Sequence, residues 1–97
     1  MLFRSAAADA LEAQRETLMV LLAREAGKTM GDGLAEVREA ADFCRYYAAE
    51  ARHVFGEERI LPGPTGEENR WRHRGRGVFV CISPWNFPLA KIGRAHV

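Results

Sequence analysis

The chain has 97 residues, 47% hydrophobic and 28% charged, and its 14 Lys+Arg against 13 Asp+Glu leave a formal charge of +1. That composition fits one ordinary soluble domain or a piece of a larger one, and two cysteines exclude a disulfide scaffold. So even a charge balance gives no global pull toward nucleic acid or an acidic membrane. The longest apolar run of the first half, Leu18 to Ala23, is six residues. It is too short for a membrane span, and its flanks lack the layout of a signal peptide. The expected setting is cytoplasmic, with reduced thiols.

Both ends resemble translated adapter DNA. Leu2-Phe3-Arg4-Ser5 can be encoded by ctc ttc cga tct, whose reverse complement is agatcggaagag. Read in another frame, that string gives the end of a lysine codon and then Ile92-Gly93-Arg94. Its extension, agatcggaagagcacacgtc, supplies Ala95-His96-Val97. On this reading residues 6–90 are the native segment, residues 1–5 and 91–97 are not, and Lys91 straddles the junction. Such segments are set aside before a fold is proposed.

Residues 6–26 read as one helix, rich in Ala, Leu, Glu, Gln and Arg, with Leu11, Leu18, Leu21 and Leu22 near one face and Gly27 as a stop. A second helix carries Leu34, Val37, Ala41, Cys44, Ala48, Ala51 and Phe55 at alternating three- and four-residue steps. Asp32 caps or charges its start, Gly56 ends it, and Glu36, Arg38, Glu39 and Asp42 fall mostly off the apolar stripe. Leu61-Pro62-Gly63-Pro64-Thr65-Gly66 is a cluster of breakers and reads as a loop. From Asn69 to Arg74 the chain alternates, with Arg70, Arg72 and Arg74 on one side and Trp71 and His73 on the other. Period two predicts an antiparallel or edge strand. Val78-Phe79-Val80-Cys81-Ile82 is apolar without alternation, the mark of a strand covered on both faces in a parallel sheet. A parallel neighbour needs a crossover of a dozen or more residues, so that sheet is expected to lie outside this stretch.

Several motifs have duller readings that win. Gly27-Lys28-Thr29 matches the end of a phosphate-binding loop, but Leu22 stands where its first glycine belongs and a helix precedes it. Gly75-Arg76-Gly77 precedes a strand, whereas a dinucleotide fingerprint follows one, so it is a turn. The arginines at 70, 72, 74 and 76 are nearly balanced by Glu57, Glu58, Glu67 and Glu68, which favours a solvated strand face over a nucleic-acid ribbon. Cys44 reads as a small core residue and Cys81 as an inert thiol inside the buried strand. His53 and His73 lack companions at metal-ligand spacing, so no metal site is predicted.

Ser83-Pro84-Trp85-Asn86-Phe87-Pro88 is a different case. It leaves the C-terminal end of the apolar run, the edge where open α/β sheets collect ligands. Two prolines brace the backbone around Asn86, whose amide NH2 in a dry pocket suits a developing oxyanion. Pro84 and Trp85 offer a flat wall for a ring or ribose. Spacing alone supports equally a buried turn in which Asn86 caps backbone and Trp85 merely packs.

Pro84-Trp85-Asn86-Phe87-Pro88 after an apolar strand resembles the aldehyde dehydrogenase superfamily, as does Glu25-Ala26-Gly27-Lys28-Thr29. Glu36-Val37-Arg38-Glu39-Ala40, Asp42-Phe43-Cys44-Arg45-Tyr46-Tyr47, the loop from Leu61 to Glu67 and the run from Gly75 to Ser83 narrow the likeness. Together they are similar to the L-glutamate γ-semialdehyde (1-pyrroline-5-carboxylate) dehydrogenase domain of bifunctional proline utilization A proteins. The resemblance covers essentially all of residues 6–90. It implies an α/β fold, the N-terminal part of a dehydrogenase NAD-binding domain: two helices, a β-hairpin or edge strand, and the first buried strand of a parallel sheet.

The resemblance also implies the chemistry. A cysteine thiolate elsewhere in the parent attacks the aldehyde, Asn86 matches the side-chain oxyanion donor, and a glutamate-activated water releases the acid. Ile82, Ser83, Pro84 and Trp85 match the stretch lining the NAD site. Neither Cys44 nor Cys81 occupies the nucleophile's place, so the 97 residues alone are expected to be inactive. The implied partners are a small aldehyde and a second copy of the parent, through the hairpin around Arg70 to Arg74. FAD or DNA enters only if the parent carries a proline dehydrogenase or DNA-binding domain. The alternatives are another NAD(P)-dependent aldehyde dehydrogenase, or a non-enzymatic α+β interaction module that folds by itself.

Overall fold

The computed structural model describes residues 2–90, with side chains from Ser5 onward. Three helices come first, α1 Leu2–Ala13, α2 Arg15–Ala26 and α3 Met30–Phe55. A two-stranded antiparallel sheet follows, β1 Arg59–Leu61 and β2 Asn69–Trp71. Residues 91–97, read from sequence as adapter translation, lie outside the described residues; Leu2 to Ser5 belong to α1.

The single helix expected over 6–26 is therefore two, bent at Gln14. Hydrogen bonding continues through the bend. The Gln14 N–H donates to the Ala10 carbonyl at 3.2 Å, and the Leu18 N–H donates to the Gln14 carbonyl at 3.0 Å. The bend lets both halves follow α3 in antiparallel register. Arg52 donates to the Ser5 hydroxyl, and Arg45 donates to Glu12 and Asp9. Further along, Met19 lies beside the bare backbone of Gly33. An apolar pattern records which face is buried, not a change of axis, and Gln is at home in a helix interior.

The core between these helices is built from small side chains. Ala8, Leu22, Val37, Ala40, Ala41 and Ala48 are buried, and Gly33 lies among them. Small residues at a helix crossing let the axes approach to the short end of the usual packing distance. The expected stripe on α3 is met at Val37, Ala41 and Ala48. Leu34, Cys44 and Ala51 are only half-buried, and Phe55 is exposed. The buried face runs instead through Gly33, Glu36, Val37, Ala40 and Ala41. Thr29 caps the N-terminus, its hydroxyl accepting from the Asp32 N–H at 3.2 Å; Asp32 adds charge to the first turn. Gly56 follows the last turn, its N–H donating to the Arg52 carbonyl at 3.0 Å.

The hairpin pairs Arg59 with Trp71, Ile60 with Arg70 and Leu61 with Asn69. Its tip is the expected loop, closed by the Gly66 N–H donating to the Gly63 carbonyl at 3.1 Å. The predicted two-sidedness holds. Trp71 and His73 meet edge to face at 4.4 Å between ring centroids, with Phe55 at 5.2 Å from His73, while Arg70 and Arg72 both reach Glu58.

The buried strand expected at 78–82 is the main correction. These residues form no ladder and lie in solvent, with Val78 99% and Ile82 92% exposed, and the Cys81 thiol is exposed with them. A strand's hydrogen bonds are made to neighbours, and no described residue pairs with this run. Its composition specifies burial on both faces, and the covering layers are not among the described residues.

Candidate functional site

The Pro84–Phe87 segment is a four-residue turn. The Phe87 N–H donates to the Pro84 carbonyl at 3.3 Å, which places Trp85 and Asn86 at the two central positions. Pro84 and Pro88 fix their own φ and restrict the residue before each, so the turn is stiff on both sides. Trp85 is 84% exposed, Ile82, Pro84 and Asn86 are exposed, and Ser83 and Phe87 are half-buried. Neither expected setting is realised within the described residues. Asn86 is in no dry pocket, and the turn is not buried with Trp85 packed inside. Residues 82–86 instead form an edge open to solvent except at the half-buried Ser83.

Just beyond this edge the chain meets a group that sequence reasoning placed on the wet face. Glu36 is 2% exposed, and its Oε1 accepts from the N–H of Leu89 at 2.9 Å and of Ala90 at 3.2 Å. A buried carboxylate is costly unless hydrogen-bonded or paired, and two backbone donors supply that compensation. Glu36 Oε2 makes no hydrogen bond among the described residues, but the Lys28 ammonium stands 3.8 Å away. That ammonium also lies 4.1 Å from the centroid of the Phe87 ring, within range of a cation–π contact. The signal was present in the sequence: 33, 36, 37, 40 and 41 form a helical face with one acidic member.

Lys28 arrives there because of how α2 ends. Gly27 adopts the left-handed conformation at φ 65°, and its N–H donates to the Leu22 carbonyl, a six-to-one closure of the helix C-terminus that favours glycine. The Lys28 N–H donates to the same carbonyl at 3.3 Å. Thr29 then caps α3 immediately. Gly27-Lys28-Thr29 is thus a corner between helices that aims Lys28 at Glu36, not a phosphate loop.

The remaining candidates carry no chemistry of their own. No group of three or more His, Cys, Asp or Glu suited to a metal occurs among the described residues. No helix there is long and apolar enough to cross a membrane. Arg70 and Arg72 are occupied by Glu58, and Arg70 also by Glu68; Arg70 first, then Arg72, holds the Glu58 carboxyl below its ordinary range. A groove of about 540 Å³ runs along α3, its lining among the described residues coming from that helix, Phe43 and Tyr46 included.

Comparison with known proteins supplies the context for this edge. The model of the aldehyde dehydrogenase family matches residues 3–97. The chain is 50% identical over 84 residues to the bifunctional protein PutA of Klebsiella aerogenes, covering 87% of this chain and 5% of that protein. It is 37% identical over 90 residues to succinate-semialdehyde dehydrogenase [NADP(+)] 1 of Mycobacterium ulcerans, covering 92% and 20% respectively. A solved structure of a variant of Bradyrhizobium japonicum Proline Utilization A superposes with a TM-score of 0.82 at 61% identity, over 90% of this chain and 9% of that one. The chain therefore spans about a twentieth of the length of the PutA relative it matches.

Proposed function

The chain belongs to the aldehyde dehydrogenase family, and from that premise we propose that it is part of an NAD-dependent enzyme oxidising L-glutamate γ-semialdehyde to L-glutamate in proline catabolism. One observation supports the reading: a proline-braced turn holds Asn86 exposed at one of its two central positions. An amide NH2 exposed on such a turn is a donor suited to an oxygen that becomes negative. In the proposed reaction a thiolate from another part of the enzyme adds to the aldehyde carbon. Asn86 donates to the resulting oxyanion, and a general-base carboxylate, also from elsewhere, activates the water that releases the acid. Neither the exposed Cys81 nor the half-buried Cys44 is the nucleophile in this reading, and the 97-residue chain is inactive by itself.

NAD fits the same edge. Ile82, Pro84 and Trp85 are open to solvent and Ser83 is half-buried, and the exposed Trp85 offers an indole face to a ring or ribose. When bound, NAD supplies the acceptor for the aldehyde's hydride. Residues 82–85 bind and orient it, and Asn86 is kept for the substrate oxygen. The exposed hairpin, with Ile60 and Trp71 uncovered, supports a contact between copies of the parent enzyme.

The stronger likeness to PutA than to succinate-semialdehyde dehydrogenase favours the glutamate semialdehyde, with another NAD(P)-dependent aldehyde dehydrogenase as the second reading. Steady-state kinetics of the full-length enzyme on both aldehydes test this. The expected result is a higher kcat/KM for L-glutamate γ-semialdehyde with NAD. A higher value for succinate semialdehyde overturns the substrate assignment.

A further inference from the structure

We propose that Glu36, backed by Lys28, is the positioning residue of the Pro84–Pro88 turn: its buried carboxylate grips the backbone N–H groups of Leu89 and Ala90 and so sets where Asn86 stands. The proposal rests on the reading of Asn86 given above. From Arg72 to Ala90 the chain has no helix and no ladder, so its course depends on few anchors. Two hydrogen bonds to Glu36 and the Lys28 ammonium over the Phe87 ring tie it to the helical body. The hydrogen bonds at Leu89 and Ala90 sit just after the turn, with Pro88 the stiff link between them and Asn86, and the Phe87 contact holds the turn's last residue itself. Ala90 is buried while Asn86 is exposed, so the clamp holds the far side and leaves the working side open.

Packing alone does not account for a carboxylate here. The other buried members of this α3 face are Gly33, Val37, Ala40, Ala41 and Ala48. A buried ion pair is often replaceable by an apolar side chain of similar volume without loss of stability. What an apolar side chain lacks is a pair of directional acceptor sites for two successive amides. Glu36 touches no reacting atom in this account. It acts through Asn86.

The test uses the full-length enzyme with Glu36→Met, Glu36→Gln, Asn86→Ala and the Glu36→Met/Asn86→Ala double variant. Methionine fills the volume without a strong acceptor; glutamine keeps an acceptor oxygen. A displacement of about 1 Å at a catalytic group costs on the order of 10²-fold in rate, so Glu36→Met is expected to lower kcat by about that factor with the aldehyde KM little changed. Glu36→Gln should retain most of the activity. The double variant should turn over no more slowly than Asn86→Ala alone. Full additivity in the double variant, or an unchanged kcat in Glu36→Met, overturns the proposal. Failure to recover folded Glu36→Met enzyme overturns it too, because the carboxylate is then structural. Amide hydrogen exchange at Leu89 and Ala90 reads the clamp independently of Asn86. Faster exchange in Glu36→Met but not in Glu36→Gln supports the clamp, and unchanged exchange sinks it. If Asn86→Ala alone leaves turnover intact, the oxyanion reading fails, and the exchange data still decide whether the clamp exists.

Discussion

Two valines show how differently the halves of this molecule are held. Val37, on α3, is fully buried, whereas Val78, in an apolar run of equal hydrophobic promise, is 99% exposed. A helix makes its hydrogen bonds within itself, and α1, α2 and α3 supply one another's apolar faces. A strand makes its hydrogen bonds to neighbours, and the Val78 to Ile82 run has none among the described residues. Burial is therefore a property of the partner as much as of the side chain. Between the two halves stands the turn with Asn86, joined to the ordered side through Glu36 and to the open side through Ile82.

Substitutions in the isolated chain sharpen this contrast. Val37→Asp places an unpaired charge in the helical core and should cost about 3–5 kcal/mol, enough to abolish a cooperative helix melt followed by circular dichroism. Retention of that melt would break the comparison at its ordered end. Gly27→Val forces a branched residue into a left-handed corner and should lower stability by about 1–2 kcal/mol, read from the urea midpoint. Thr29→Ala removes the α3 cap and should cost about 1 kcal/mol. Phe79→Ser, on the exposed run, should move the same midpoint by less than about 0.5 kcal/mol. If the run is a displaced core strand, the same change in the full-length enzyme is expected to be severe. Equal effects in both settings would show that the run is not a displaced core strand.

A pH scan probes the bridge between α1 and α3. Arg45 donates to Glu12 at 2.8 and 2.9 Å, and this hydrogen bonding holds the Glu12 carboxyl below its ordinary value of 4.5. A lowered carboxylate adds stability that is present above its unfolded pKa and lost as pH falls through the folded one. Acid should therefore loosen the α1–α3 contact below about pH 4.5, and Arg45→Met should flatten that dependence. Both groups are exposed, so the contribution, present in full at neutral pH, is small. An unchanged acid limb in Arg45→Met would remove the bridge from the account.

Periodicity was enough to read α3, the hairpin's two faces and the stop at Gly27, because each depends on residues close in sequence. The bend at Gln14 left no mark, since its cause is the fit of two half-helices along a third. Glu36 was misplaced on the wet face because a stripe drawn through Leu34, Cys44 and Phe55 is one step away from the face the packing buries. An acid inside a run of Gly, Val and Ala was the available clue. Its partners are the amides of Leu89 and Ala90, more than fifty residues onward, and no local pattern announces them. The Val78 to Ile82 run was read as a buried strand whose sheet lies outside this stretch; without neighbours among the described residues it is exposed and forms no ladder. Pro84 to Pro88 was legible as a stiff turn, but its exposure was not.

The central claim is that this turn offers the Asn86 amide to an oxygen that becomes charged during aldehyde oxidation. Stopped-flow measurement of NADH formation by full-length Asn86→Ala enzyme at saturating aldehyde tests it most directly. Loss of one such donor typically costs about 10²–10³ in rate, and a slowing of that size is expected. An NADH burst as fast as that of the unaltered enzyme would contradict the claim.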